Sequence, residues 1–169
     1  VIGHNTDIFG FETSIKKLKY NLTNKEVLIL GAGGVVPSII FALNKMKISK
    51  IKISNRTKDK AENLKTLFKN IEIIEWGEVP NVDMIINATS LGLKKEDKIN
   101  LDFSLISKNG FFYDVIYNPR ETNFLKIGES LGCTTLNGKL MFIYQALLAF
   151  NIWHKIEPNV DENVIKLLD

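Results

Sequence analysis

Two short segments carry the chemistry most directly read from this chain. The first is Gly31-Ala32-Gly33-Gly34-Val35, which follows the apolar run Val27-Leu28-Ile29-Leu30 and precedes an apolar-periodic segment. That is how a buried parallel strand reads when it feeds a helix through a phosphate-binding turn. Gly31 allows the tight turn. Gly33 and Gly34 let the backbone come close to a pyrophosphate, and the amides at the helix start face the anion. The second segment is Asn55-Arg56-Thr57, with Lys58 and Lys60 beyond it, at the end of the strand-like Ile51-Lys52-Ile53-Ser54. A fold that selects NAD places a carboxylate here to accept the ribose 2′-OH. In this chain no acid appears until Asp59. A carboxylate would repel a 2′-phosphate, whereas a guanidinium offers it a planar set of donors, so the expected cofactor is NADP. The alternative is a solvated basic turn that opens the next helix.

The elements that must position these loops alternate in type. A helix capped by Thr6 or Asp7 is expected through Phe9, Phe11, Ile15 and Leu18, ending near Tyr20. The first strand and the glycine loop follow. The next helix runs from about residue 34 to 46, with Pro37 tolerated in its first turn. After the second strand, Ala61, Leu64, Leu67 and Phe68 recur at helical spacing. Further strands are expected at 71–74, 83–87, 111–116 and 134–136. Helices are expected at about 122–131, 140–153 and 160–168. The predicted fold class is therefore α/β, a doubly wound and mostly parallel Rossmann-type sheet.

Ligands in such folds lie outside the carboxyl ends of the strands. The predicted strand ends are all small or polar: the glycine loop, Asn55 to Thr57, Asn87-Ala88-Thr89-Ser90, Asp114 to Tyr117, and Asn137-Gly138. One polar loop carries no information, but all of them on one sheet edge describe a site.

Composition narrows the class. The 169 residues suffice for one domain, are 45% hydrophobic and 24% charged, and have a net charge of +3. The lysines are scattered singly, so neither nucleic acid nor a membrane surface is an expected partner. The single cysteine, Cys133, excludes an internal disulfide and suits a reducing cytoplasm. It reads as a small buried hydrophobe, since no histidine lies near it in sequence. No apolar run is long enough to span a bilayer, and no residue cluster calls for a metal.

Taken in order, these segments resemble the shikimate dehydrogenase family. Gly3-His4-Asn5-Thr6-Asp7-Ile8-Phe9-Gly10 resembles its G-x-N-T-D-x-x-G motif. Gly31-Ala32-Gly33-Gly34 resembles its GAGG loop, Asn55-Arg56-Thr57 its N-R-T, and Asn87-Ala88-Thr89-Ser90-Leu91-Gly92 its N-A-T-S-x-G. Asp114-Val115-Ile116-Tyr117-Asn118-Pro119, with Thr122 and Phe124-Leu125, resembles D-x-x-Y-x-P-x-x-T-x-F-L. Asn137-Gly138 with Met141 and Gln145 resembles N-G-x-x-M-x-x-x-Q.

The resemblance implies NADP-dependent reduction of 3-dehydroshikimate to shikimate, in aromatic amino-acid synthesis in the cytoplasm. It implies that Asp7 pairs with a catalytic lysine at the substrate, and that Tyr117 and Gln145 contact substrate. It implies that the cofactor is lined by the glycine loop through Val35, by Asn55, Arg56, Thr57, Lys58 and Lys60, and by Thr89, Val115, Gly138 and Met141. Elementary chemistry agrees. A carbonyl that accepts hydride needs a proton donor, a carboxylate beside a lysine favours its charged form, and an amide both donates to and accepts from ring hydroxyls. The competing readings are a plain helix cap for Asp7 and a polar position on an apolar helix for Gln145.

Two departures from the family pattern stand out. Val36 holds the third fingerprint position, where the family usually has alanine, so more room is expected between helix and strand. The chain also begins at the N-T-D motif, whereas whole family members carry a substrate domain of about a hundred residues before it, a common size for one domain. That domain holds the lysine. The 169 residues are therefore expected to form the cofactor half, inactive alone, with segments 1–20 and 138–169 linking to or packing on the absent half. A shikimate/quinate enzyme of relaxed specificity and a non-catalytic NADP-binding module are the alternatives. Oligomeric state is left open.

Overall fold

Residues 1–94 and 96–168 are described by the computed structural model. Six strands, β1 (Glu26–Leu30), β2 (Lys50–Ser54), β3 (Ile71–Ile74), β4 (Met84–Asn87), β5 (Phe111–Asp114) and β6 (Thr134–Leu136), form one sheet in the order β3-β2-β1-β4-β5-β6. Every pairing is parallel. The sequence implied a mostly parallel sheet, and the sheet is wholly parallel. The order reverses between β1 and β4, which opens a crevice at their carboxyl ends. The register is level there. Leu30 lies opposite both Ser54 and Asn87, and Asn87 lies opposite Asp114. Four strands thus release their following loops side by side.

Strand residues alternate between two cores, as period-2 geometry requires. On one face Val27, Ile29, Ile51, Ile53, Ile86 and Tyr113 pack against the helices α1 (Asp7–Lys17), α2 (Val36–Lys45), α3 (Lys58–Leu67) and α5 (Lys139–His154). On the other, Leu28, Leu30, Ile85 and Phe112 pack against Phe124 and Leu125 of α4 (Asn123–Ser130). That second core is completed by Val79, Val82, Ile99, Phe103 and Ile106, which come from irregular connections. A short α6 (Glu162–Lys166) closes the chain.

Several expectations need correction. α1 is not capped by the side chain of Thr6 or Asp7. Asn5 Oδ1 accepts from the amides of Asp7 and Ile8, at 3.1 and 3.3 Å, which leaves both following side chains for other partners. Leu67 does not face the core and is 70% exposed, because α3 ends there and Phe68 is already extended. β5 ends at Asp114 rather than at residue 116. The Asp114 carboxylate accepts from the Ile116 amide at 3.0 Å and turns the chain out of the sheet. Val36, at the third fingerprint position, is wholly buried in the helix-side core, so the spacing between α2 and the sheet accommodates it.

Candidate functional site

The glycine loop separates what the fold demands from what it leaves open. Gly31 has a positive φ of +108°, and a Cβ there would lie 2.7 Å from the Ala88 carbonyl oxygen. Its amide donates to Ser54 O at 2.8 Å, which locks the end of β1 to that of β2. Glycine is a structural necessity at this position. At Gly33 the nearest atom to an added Cβ is Ala88 O at 3.9 Å, and at Gly34 nothing lies within 4 Å. Neither residue has a positive φ. The chain's own packing gives no reason for glycine at either place, and the bare backbone suits a ligand that lies directly on it. The N-terminus of α2, ten residues long, follows at once and favours an anion.

Two clefts flank this loop. The first, of about 370 Å³, lies over Gly31, Ala32, Gly33 and the β4 loop Ala88 to Leu91. Asn55, Arg56, Thr57, Lys60 and Trp76 form its outer side. Among the described residues no carboxylate lines it. Asn55 Nδ2 donates to Thr57 O at 2.6 Å and fixes the turn that presents Arg56. Lys58 stands outside the cleft, ion-paired to Glu75 at 2.5 Å.

The second cleft, of about 360 Å³, brings together Asp7 from α1, Val35 from the glycine loop, Val115 and Tyr117 from the segment after β5, and Gly138, Met141, Phe142 and Gln145 from α5 and its start. Close backbone approach makes this possible. A Cβ on Gly138 would lie 2.0 Å from Val115 O, and one on Gly10 would lie 2.5 Å from Met141 O. The Gly138 amide donates to Ile116 O at 3.0 Å. Thr6 Oγ1 donates to Gln145 Oε1 at 3.3 Å, and Asn5 Nδ2 donates to Ser38 Oγ at 2.9 Å. The tripeptide Asn5-Thr6-Asp7 therefore ties α1 to α2, orients Gln145 and delivers a carboxylate to the cleft. Tyr117 stacks on Phe142 at 4.6 Å.

A buried polar network joins the β4 and β5 loops. Asn87 Nδ2 donates to Asp114 Oδ1 at 3.0 Å and to Leu91 O at 3.0 Å, while its Oδ1 accepts from Thr89 Oγ1 at 2.7 Å. Thr122 Oγ1, which caps α4, donates to Asp114 Oδ2 at 2.6 Å. Burial pushes the Asp114 carboxyl up to about 6, against hydrogen bonds from Thr122, the Ile116 amide and Asn87 that hold it down.

Of the residues singled out in the sequence, Gly31, Ala32, Gly33, Asn55, Arg56, Thr57, Lys60 and Thr89 line the first cleft, and Asp7, Val35, Val115, Tyr117, Gly138, Met141 and Gln145 line the second. Gly34 lies in the loop between the two clefts, and Lys58 outside both. Sequence reasoning missed Trp76 and Phe142, since an aromatic in a turn or on an apolar helix reads as ordinary packing. It also missed the separate tasks of Asn5 and Thr6.

This fold and site define a doubly wound α/β domain of the dinucleotide-binding type. The family model described as Shikimate / quinate 5-dehydrogenase matches residues 13–121. The chain is 62% identical over 169 residues to the shikimate dehydrogenase (NADP(+)) of Pelagibacter ubique (strain HTCC1062), covering all of this chain and 64% of that protein. It superposes with a TM-score of 0.86 on a crystal structure of shikimate dehydrogenase in complex with NADP+, at 32% identity, over 99% of this chain and 61% of that one. The quinate dehydrogenase from Corynebacterium glutamicum, in complex with NAD, gives a TM-score of 0.84 at 28% identity, over 98% of this chain and 62% of that one. The chain belongs to the shikimate / quinate 5-dehydrogenase family. It spans about three fifths of the length of these relatives.

Proposed function

We propose that this chain is the cofactor-binding part of an NADP-dependent shikimate dehydrogenase that reduces 3-dehydroshikimate to shikimate. One observation carries the reading: two clefts of opposite character flank a single open glycine loop. The cleft toward β2 offers Arg56 and Lys60, which suit a 2′-phosphate. The cleft toward α1 and α5 offers a carboxylate, a phenol and an amide, which suit a polyhydroxylated ring. NADP lying along the loop would be held at one end by Arg56 and Lys60, with Val35, Val115, Gly138 and Met141 around the other. When bound, it supplies the hydride.

The chain's own side chains then hold and orient. Gln145, fixed by Thr6, hydrogen-bonds a ring hydroxyl. Tyr117 does the same from the opposite wall, its ring steadied on Phe142. Asp7 keeps a lysine of the other half of the whole enzyme charged and in place beside the carbonyl oxygen that takes the proton. The packed pair α1 and α5, with Phe9, Phe150 and Trp153 exposed, forms the surface toward that half. The similarity to the shikimate dehydrogenase (NADP(+)) of Pelagibacter ubique supports the cofactor assignment.

A quinate-using enzyme is the second reading, carried by the superposition on quinate dehydrogenase. Steady-state rates of the complete protein with shikimate and with quinate separate the two. Calorimetric titration of the 169-residue chain tests the cofactor. A charge-assisted bond is worth about 1.5–3 kcal/mol, so NADP+ is expected to bind about tenfold or more tighter than NAD+. Equal affinities would overturn the choice of NADP, and no binding of either would overturn the dinucleotide site itself. The isolated chain is expected to bind cofactor without turning over shikimate.

A further inference from the structure

We infer that Trp76 is the adenine platform of the cofactor site, held in place by the Lys58–Glu75 ion pair. This rests on the NADP reading above and deepens it at a residue that no motif covers. Among the described residues, Trp76 is the one aromatic side chain that lines the first cleft. Counted from the centre of the sheet, the cleft draws on the glycine loop after β1, Arg56 after β2 and Trp76 after β3. A dinucleotide with its pyrophosphate on the glycine loop and its 2′-phosphate at Arg56 has only its adenine left to meet the β3 side.

The indole is presented, not buried. It is 36% exposed. Three features fix it. Glu78 N donates to Glu75 O at 3.2 Å and closes a tight turn, with Trp76 and Gly77 as its central residues. Gly77 has φ +111°, a conformation that glycine adopts freely and tryptophan does not, so the two residues could not exchange places. The buried Ser54 donates through Oγ to Glu75 O at 3.2 Å and anchors the turn to the end of β2. Lys58 Nζ pairs with Glu75 Oε1 at 2.5 Å and anchors it to the start of α3. Lys58 is thereby taken from phosphate binding and given a positioning task. An aromatic wall in the same cleft as a cationic pair is the combination that holds a purine carrying a phosphate. Base–aromatic stacking is sequence-independent and strong enough to matter, about 1–3 kcal/mol per base.

The test uses adenosine 2′,5′-bisphosphate, which has the adenine and the 2′-phosphate but no nicotinamide. In the Trp153→Phe chain, Trp76 is the sole tryptophan. Its fluorescence is expected to quench on titration with the bisphosphate, saturating at the dissociation constant measured by calorimetry. Trp76→Leu should weaken the bisphosphate and NADP+ by the same factor, about tenfold, whereas Trp76→Phe should retain most of the affinity. Arg56→Ala serves as the reference that reports the phosphate end. If Arg56→Ala weakens the bisphosphate but Trp76→Leu binds as wild type and the fluorescence stays flat, the platform is wrong and the NADP reading stands. If neither the bisphosphate nor NADP+ binds the wild-type chain, both fall. A Trp76→Leu chain with a lowered melting temperature is judged through Trp76→Phe, which must bind as wild type within about threefold.

Discussion

The hydroxyl of Thr6 donates to the amide oxygen of Gln145 at 3.3 Å, across 139 positions of sequence. This bond decides how Gln145 presents itself. With its oxygen engaged by Thr6, the amide keeps its NH2 for other partners, which on the proposed function is a substrate oxygen in the cleft that Gln145 lines. Thr6→Val keeps the shape and removes the hydroxyl. A neutral hydrogen bond is worth about 0.5–1.5 kcal/mol, so in the complete enzyme KM for shikimate should rise about two- to twelvefold with NADP+ affinity unchanged. Thr6→Ser should restore it. An unchanged KM in Thr6→Val would separate Gln145 from substrate binding.

The glycines give a prediction that divides fold from site. Gly33→Ala meets no atom nearer than 3.9 Å, and its φ suits alanine. Its melting temperature should hold or rise slightly, as Gly→Ala changes at compatible positions do by about 0.4–1 kcal/mol, while NADP+ affinity falls. Gly138→Ala should instead lose stability. Its Cβ would lie 2.0 Å from Val115 O, and the clash is with backbone, so the start of α5 must move. A loss of about 1–3 kcal/mol is expected, as for other overpacked sites. Thermal melts and calorimetry on both variants check the pair. If both lose affinity and stability alike, the loop is a packing element only.

Arg56 should govern cofactor choice. Arg56→Ala is expected to remove most of the preference for NADP+ and to leave NAD+ binding nearly unchanged. The cleft contains Lys60 as a second cation, so a residual preference of a few-fold is expected to persist. The double variant with Lys60→Ala should abolish it, and titration with both cofactors measures each step. A single Arg56→Ala variant that keeps the full preference would assign the 2′-phosphate elsewhere.

Much of this arrangement is legible in the sequence because it depends on local signals. An apolar run, a glycine turn and a polar strand end declare themselves within a dozen residues, and the parallel order follows from their alternation. What escaped is what needs tertiary knowledge. The cap of α1 lies on Asn5 rather than Thr6 because an Asx side chain reaches forward over two residues, and several capping residues compete in one short stretch. Leu67 kept the helical period but fell on the last residue of α3. Ile99, Phe103 and Ile106 cover the second face without forming a helix, so no period marked them as core. Trp76 gave no signal at all, because its use depends on the neighbourhood of β3 and β2.

Asp114 predicts a pH dependence. Its folded value of about 6 lies above the ordinary 3.8, so between those values the folded chain binds more protons than the unfolded one. The group favours the folded state fully below about pH 3.8, and that contribution is lost as pH rises through about 6. A rise from 3.8 to about 6 corresponds to roughly 3 kcal/mol. Asp114→Asn does not titrate. Measured by denaturant unfolding, its stability relative to wild type should improve by about that amount from pH 4 to pH 7. Wild-type carboxylates such as Asp83 and Glu12, whose values are lowered, act in the opposite direction in both proteins and cancel in the difference. A difference that stays flat across this range would mean that Asp114 is ionised at no penalty.

Asp7 carries the last prediction. Because Asn5 caps α1, Asp7→Asn removes no capping bond. It removes one negative charge from the first helical turn, worth about 0.3–1 kcal/mol against the helix dipole, so the melting temperature should hardly move. NADP+ affinity should also hold, since Asp7 lines the second cleft and not the one that contains Arg56. If its carboxylate holds the lysine of the complete enzyme, kcat should fall by about 10²–10⁴, the usual worth of acid–base assistance. Turnover, melting temperature and cofactor affinity measured on one variant distinguish the roles. Full turnover would make Asp7 a helix-dipole residue and move the proton chemistry away from the α1 edge of the cleft.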